Sequence, residues 1–410
     1  MSTRLTALAP DTESTTWSAR TSFGLVIAAQ VLLFAGSNLP TPLFPLYEHR
    51  YGFGSGVVTL LFGVYVGVLI PALALLGPYA DRVGRRPLLV AGITLTSVSS
   101  ATFAAARGVG WLFAGEIIYG IGSALVMSCV SVTIRELHPR QHVASAALAA
   151  SVAMAAGLTL GPLVGGLLAS ATPWPTVSPY VVDIALATVL GAALLRIPET
   201  RPVSTTAPAR APVIHVPAEI RRAFIGPASA GAASFMMVGW VFALSPSFLH
   251  EALGVRITQP VVGGLFAALV VLTSGASQLV LRRTDGHRST AVGLGAVVLG
   301  MGLVAASGVV TSLTVAIVGG MIAGAGSGVV QRNAMAVVQH IAPLHARGSV
   351  MSTYVTLCYV ALSVPVIVAG EAADRFGLRV VTAWYVLGLT VVVGAALVLS
   401  RRGSRESTAQ

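Results

Sequence analysis

VVTLLFGVYVGVLIPALALLGPYADRVGRRPLLVAGITLTSVSSATFAAA, Val57 to Ala106, is two apolar runs joined by a short segment carrying one acid and three arginines. Each run is about 20 residues long, the length at which a helix rising about 1.5 Å per residue crosses the hydrocarbon core of a bilayer. The stretch therefore reads as a hairpin of two membrane helices with a charged turn. Working outward, twelve such runs appear, at 22–46, 57–79, 88–106, 111–134, 143–170, 178–197, 223–249, 260–281, 289–308, 312–338, 349–370 and 380–400. With 55% hydrophobic and 10% charged residues, a water-soluble fold would lack the polar surface to cover itself. The fold class is all-α, with twelve transmembrane helices and lipid as the main solvent.

The formal net charge of +11 raises the question of a nucleic-acid partner, and its placement answers it. All 25 basic residues are arginine; with the N-terminus inside, 20 fall in inner segments and 5 in outer ones. By the positive-inside rule both termini are cytoplasmic, and the charge is topological. No nucleic acid is expected. The first twenty residues lack an apolar core, so the first span is expected to serve as its own uncleaved insertion signal in a cell membrane, most simply a bacterial plasma membrane. Cys129 and Cys358 fall inside spans and read as small packing residues.

Residues 198–222 are Pro-rich, Arg-bearing and without apolar periodicity, which marks a cytoplasmic linker. They divide the chain into an N-terminal tail (1–21), a first six-helix bundle (22–197), the linker, a second bundle (223–400) and a C-terminal tail (401–410). A single shift of 204 positions relates the bundles: Ile118, Gly120, Gly122 and Ser123 map onto Ile322, Gly324, Gly326 and Ser327, and Pro42 onto Pro246. Two pseudo-symmetric bundles repeated in parallel place a solute site between them.

The turn GPYADRVGRRP, Gly77 to Pro87, resembles the cytoplasmic signature of the major facilitator superfamily in its Gly77, Asp81, Arg82, Gly84, Arg85 and Arg86. The resemblance covers essentially the whole chain and implies that fold. It also implies an inner gate in which Asp81 sits at the N-terminal end of the eleventh helix, where the helix dipole favours a carboxylate, with Arg135 as an ion-pair partner. Gly84 would allow the tight turn and Gly77 close helix approach. In the fifth span, GLTLGPLVGG places Gly157, Gly161 and Gly165 four apart, one small-residue stripe for a neighbouring helix, with Pro162 bending the helix and Gly166 beside the stripe. This segment resembles the fifth-helix motif of the superfamily's proton-coupled exporters and points to export.

Glu116 and Asp183 are the only acids inside these twelve runs. A charge in mid-membrane costs about 2.5–3.5 kcal/mol on insertion scales, so such a carboxylate is a functional candidate. Glu116 occupies a position where the family usually carries Arg. It is expected to be the main proton-coupling group, with Asp183 secondary; the competing reading is a protonated Glu bonded to a neighbouring helix. The resemblance also has spans one, four, seven and ten line the cavity, which makes Asn38, Tyr119, Trp240 and Gln331 the candidates for solute contact. No phosphate-cradling loop or metal-ligand spacing is present, so no enzyme activity, cofactor or metal is expected. The expected partners are a small solute, protons and lipid, with the monomer as the working unit. The function expected is a proton-coupled exporter of small drug-like or apolar molecules; the alternatives are an importer of the same fold and, further off, a membrane sensor or enzyme.

Overall fold

A computed structural model describes residues 17–76, 83–139, 142–200, 214–281 and 286–407. Among them every regular element is helical. In chain order they are α1 (Ala19–Asn38), α2 (Phe44–Tyr51), α3 (Ser55–Leu76), α4 (Arg85–Ala104), α5 (Val109–Leu137), α6 (Val143–Ala171), α7 (Ser178–Leu194), α8 (Arg221–Ala243), α9 (Ser245–Leu253), α10 (Pro260–Val280), α11 (His287–Val310), α12 (Leu313–Ile341), α13 (Arg347–Phe376) and α14 (Leu378–Ser407). Two of these are broken spans. α1 gives way to α2 through a single 3-10 turn, Thr41–Leu43, and α8 gives way to α9 at Leu244. Pro40, Pro42 and Pro45 crowd the first break, and Pro246 sits at the second, because a proline ring clashes with the preceding turn and withholds its N–H. Among the described residues eleven spans are long and apolar enough to cross a membrane; α7, with 17 residues, is the shorter twelfth.

The repeated glycines do the same work in each half. A Cβ on Gly120 would fall 3.1 Å from the Tyr65 carbonyl oxygen of α3, and one on Gly324 would fall against the Val270 carbonyl oxygen of α10. Likewise Gly122 seats the backbone of α4 at Gly92, and Gly326 seats that of α11 at Gly293. With no hydrophobic force between helices in lipid, close backbone contact of this kind is what holds them together. Acids break the symmetry: the positions 204 residues beyond Glu116 and Asp183 are Gly320 and Leu387.

The halves meet through α3 against α13 and α6 against α10. At the end of the bundle holding α2 and α9 the contact is direct. The Gly56 N–H at the start of α3 donates to both Asp374 carboxylate oxygens of α13, at 3.2 and 3.1 Å, where the helix dipole favours an anion. Ser247 of α9 donates to Glu48 of α2 at 2.7 Å, and the Val261 N–H donates to Ser170 at 3.0 Å. Gly166 lies against the Pro260 carbonyl and Gly264 against the Pro162 carbonyl, so α6 and α10 touch backbone to backbone. This end is sealed.

Candidate functional site

Below the seal a cavity of about 590 Å³ lies between the halves and runs toward Ser151 and Leu279 at the other end. Its wall comes from α1, α3 and α6 of the first half and α8, α10, α12 and α13 of the second. Phe34, Phe62, Tyr65, Phe235, Phe242 and Tyr359 supply aromatic surface; Asn38, Gln278 and Gln331 supply amides. α8 presents Phe235, Val238, Val241 and Phe242, spaced as one helical face.

Two of the four residues expected to touch solute, Asn38 and Gln331, line this cavity. Tyr119 and Trp240 do not. Trp240 stands two residues beyond Val238, about 200° around the helix, so its ring is turned into the second half's core. There it packs edge-to-face on Phe248 with centroids 5.4 Å apart. Tyr119 is turned into the first half, where its hydroxyl donates to the Leu33 carbonyl of α1 at 2.6 Å. No lining residue comes from α5, so the expectation that the fourth span walls the cavity is corrected for this conformation.

Glu116 is therefore not a cavity residue either. It is buried inside the first half, within electrostatic range of Tyr47, Tyr65, Tyr119 and Tyr180. Asp183, also buried, accepts from the Ser100 hydroxyl at 2.6 Å. Gly36 of α1 joins the two neighbourhoods, because a Cβ there would meet the Tyr119 hydroxyl and, at 3.3 Å, the Asp183 carboxylate. Tyr47 and Tyr180 share a 2.8 Å hydrogen bond beside them. Two acids 67 positions apart thus belong to one buried polar cluster behind α1, whose next residues, Ser37 and Asn38, face the cavity.

The fifth-span glycines form the seat of α1. Cβ atoms on Gly157, Gly161 and Gly165 would run into the carbonyl oxygens of Val31, Ala35 and Leu39, three successive turns of that helix. A side chain at any of the three would push α1 away.

Of the inner-gate residues, Gly77, Asp81 and Arg82 lie outside the described residues. Gly84 adopts φ 94°, a conformation that glycine tolerates and other residues resist, and starts α4. The Glu199 carboxylate then accepts from the Arg85 and Arg86 N–H groups at 2.9 and 3.1 Å. Arg85 pairs with Glu136, and Arg135, one residue earlier, faces outward. Sequence reasoning missed Glu136, Glu199 and Glu48. The first two were legible only as charges near a basic turn. Glu48 was excluded by ending the first span at residue 46, whereas α2 carries the helix on to Tyr51.

Two six-helix halves around a cavity closed at one end define a secondary-transporter architecture. The chain belongs to the Major Facilitator Superfamily, whose family model matches residues 26–364. The quinolone resistance protein NorA of Staphylococcus aureus is 30% identical over 146 residues, 34% of this chain and 36% of that protein. Multidrug resistance protein 1 of Bacillus subtilis is 28% identical over 177 residues, 42% of this chain and 44% of that protein. The aligned stretch spans less than half the length of these curated relatives. Among solved structures, a bacterial homologue of the human lysosomal transporter Spinster, inward-facing and unoccupied, superposes with a TM-score of 0.77 at 16% identity, covering 94% of this chain and 98% of that one. A POT family transporter in complex with 5-aminolevulinic acid superposes at 0.76 with 13% identity, covering 93% and 96%.

Proposed function

We propose that this transporter is a proton-coupled exporter of small drug-like or apolar molecules in a cell membrane, with both termini cytoplasmic. The observation that carries the reading is a cavity between the halves that is sealed by cross-half contacts at one end and runs toward the other. Such a cavity serves transport only if the seal and the opening exchange ends, which makes the cycle a two-state equilibrium that ligands bias. Under the orientation from the arginine asymmetry the sealed end is the outer one, and the cavity faces the cytoplasm, the loading side for an exporter. The aromatic wall suits apolar solutes, and the resistance-protein relatives and the fifth-helix motif favour export.

In this reading Glu116 is the main proton carrier and Asp183 the second. Because the cluster lies behind α1, protonation acts by changing how α1 packs at Gly36, with Asn38 reporting the change to the cavity. Solute and proton then influence each other through one helix and need not compete for one site. The inner gate of Asp81, Arg82, Arg85, Arg86 and Arg135 would hold the opposite state closed. The test is a proteoliposome assay with an imposed pH gradient and a panel of aromatic solutes. Uphill movement of solute against the proton flux supports the reading; movement in the same direction as protons, or only down its own gradient, rejects export by antiport.

A further inference from the structure

We infer that the central cavity selects uncharged solutes, with a planar apolar body that carries N–H or O–H donors. The inference rests on the transport reading above and names its solute class. Among the described residues, not one that lines the cavity is Asp, Glu, Lys, Arg or His. Glu116 and Asp183 are buried away from it, behind α1, and Glu48 and Asp374 belong to the sealed end.

An ion entering such a cavity leaves water without gaining a counter-charge. That penalty is several kcal/mol per ion even after relaxation, whereas a cation lying over an aromatic face recovers about 0.5–2 kcal/mol. The aromatic wall therefore does not compensate a cation, and an anion finds no cationic partner among the described residues of the wall. A flat neutral ring system gains stacking and burial against Phe34, Tyr65, Phe235 and Tyr359 without that loss.

The polar atoms define the rest of the solute. The Asn38 amide nitrogen donates to the Phe34 carbonyl at 3.2 Å and to the Ser37 hydroxyl at 2.7 Å. A backbone carbonyl only accepts, so this bond fixes the orientation of the amide and leaves its oxygen free to accept from a ligand. From the opposite half the Gln331 nitrogen donates to the hydroxyls of Ser327 at 3.1 Å and Ser234 at 3.3 Å, and in that orientation its oxygen is left for the cavity. The Asn38 and Gln331 oxygens, one on each half, favour a solute that brings donors, although Gln278 adds both a donor and an acceptor to the wall. A solute that bridges the two oxygens would hold the halves in register as the cavity closes.

The test is equilibrium binding to the full-length protein in lipid nanodiscs, with empty discs subtracted, using three fluorescent probes. These are phenylnaphthylamine, which is neutral and has one N–H; its sulfonate, an anion; and ethidium, a permanent cation. Phenylnaphthylamine should bind at least about tenfold more tightly than either ion, since even a fraction of the penalty for an unpaired charge gives that factor. Gln331→Glu and, on the other half, Asn38→Asp should each raise ethidium affinity by about tenfold or more by supplying the missing counter-charge. Ethidium binding the unaltered protein as tightly as phenylnaphthylamine, or binding by none of the three, overturns the inference. If the order of binding holds but no probe moves uphill in proteoliposomes, the export reading fails and the selectivity of the cavity stands.

Discussion

Gly264→Ala tests the seal directly. In the sealed state the new methyl would point at the Pro162 carbonyl, 3.0 Å from its carbon and 3.4 Å from Gly166 Cα, all of it backbone that no rotamer change can move. α6 and α10 must therefore separate. Overpacking of a tight contact costs about 1–3 kcal/mol, and at 1.4 kcal/mol per factor of ten that is about a 5- to 150-fold loss for the sealed state. When the halves part at this end the methyl meets only the open cavity entrance, so the penalty is confined to one state. The gain in helix propensity from Gly to Ala, about 1 kcal/mol, applies to both states and cancels from their ratio. Gly67→Ala in α3 is the control, because nothing lies within 4 Å of a Cβ there. Spin labels at His49 and Thr258, exposed on the two halves at the sealed end, should report a longer distance population in Gly264→Ala and an unchanged distribution in Gly67→Ala. An unchanged distribution in a folded Gly264→Ala protein would show that the α6–α10 contact does not hold this end closed.

Three further outcomes follow from particular residues. Glu116→Gln keeps shape and hydrogen bonding but cannot titrate, so gradient-driven uphill transport should be lost while downhill solute exchange survives; wild-type pH dependence in that variant would move coupling elsewhere. Glu199→Ala strips the first turn of α4 of its two carboxylate bonds and should lower stability by about 1–2 kcal/mol, read as a lower melting temperature, with Glu199→Gln in between. Cysteine at Gly254 should react with an impermeant reagent in sealed cells and cysteine at Arg210 should not; the opposite pattern would invert the orientation drawn from the arginines.

Spans, repeat and family were legible in the sequence because they rest on local quantities. A run of about 20 apolar residues is a helix in lipid whatever surrounds it, since every backbone polar group must be satisfied within the segment. Gly120 and Gly122 recur at Gly324 and Gly326 because each half repeats the same close helix contacts. The four-residue spacing of Gly157, Gly161 and Gly165 announced a seat for a neighbour, though not that the neighbour is α1. What the sequence could not settle is rotation about each helix axis. In these spans nearly every face is apolar, so nothing local tells which side meets the cavity and which the bundle core. Tertiary packing decided that Asn38 and Gln331 face the solute space while Tyr119 and Trp240 do not, and it gathered Glu116 and Asp183 behind α1. It also decided the contacts across the halves, Gly56 with Asp374, Glu48 with Ser247, Gly264 with Pro162. Those contacts join residues about 100 to 320 positions apart, so no local pattern in the chain encodes them.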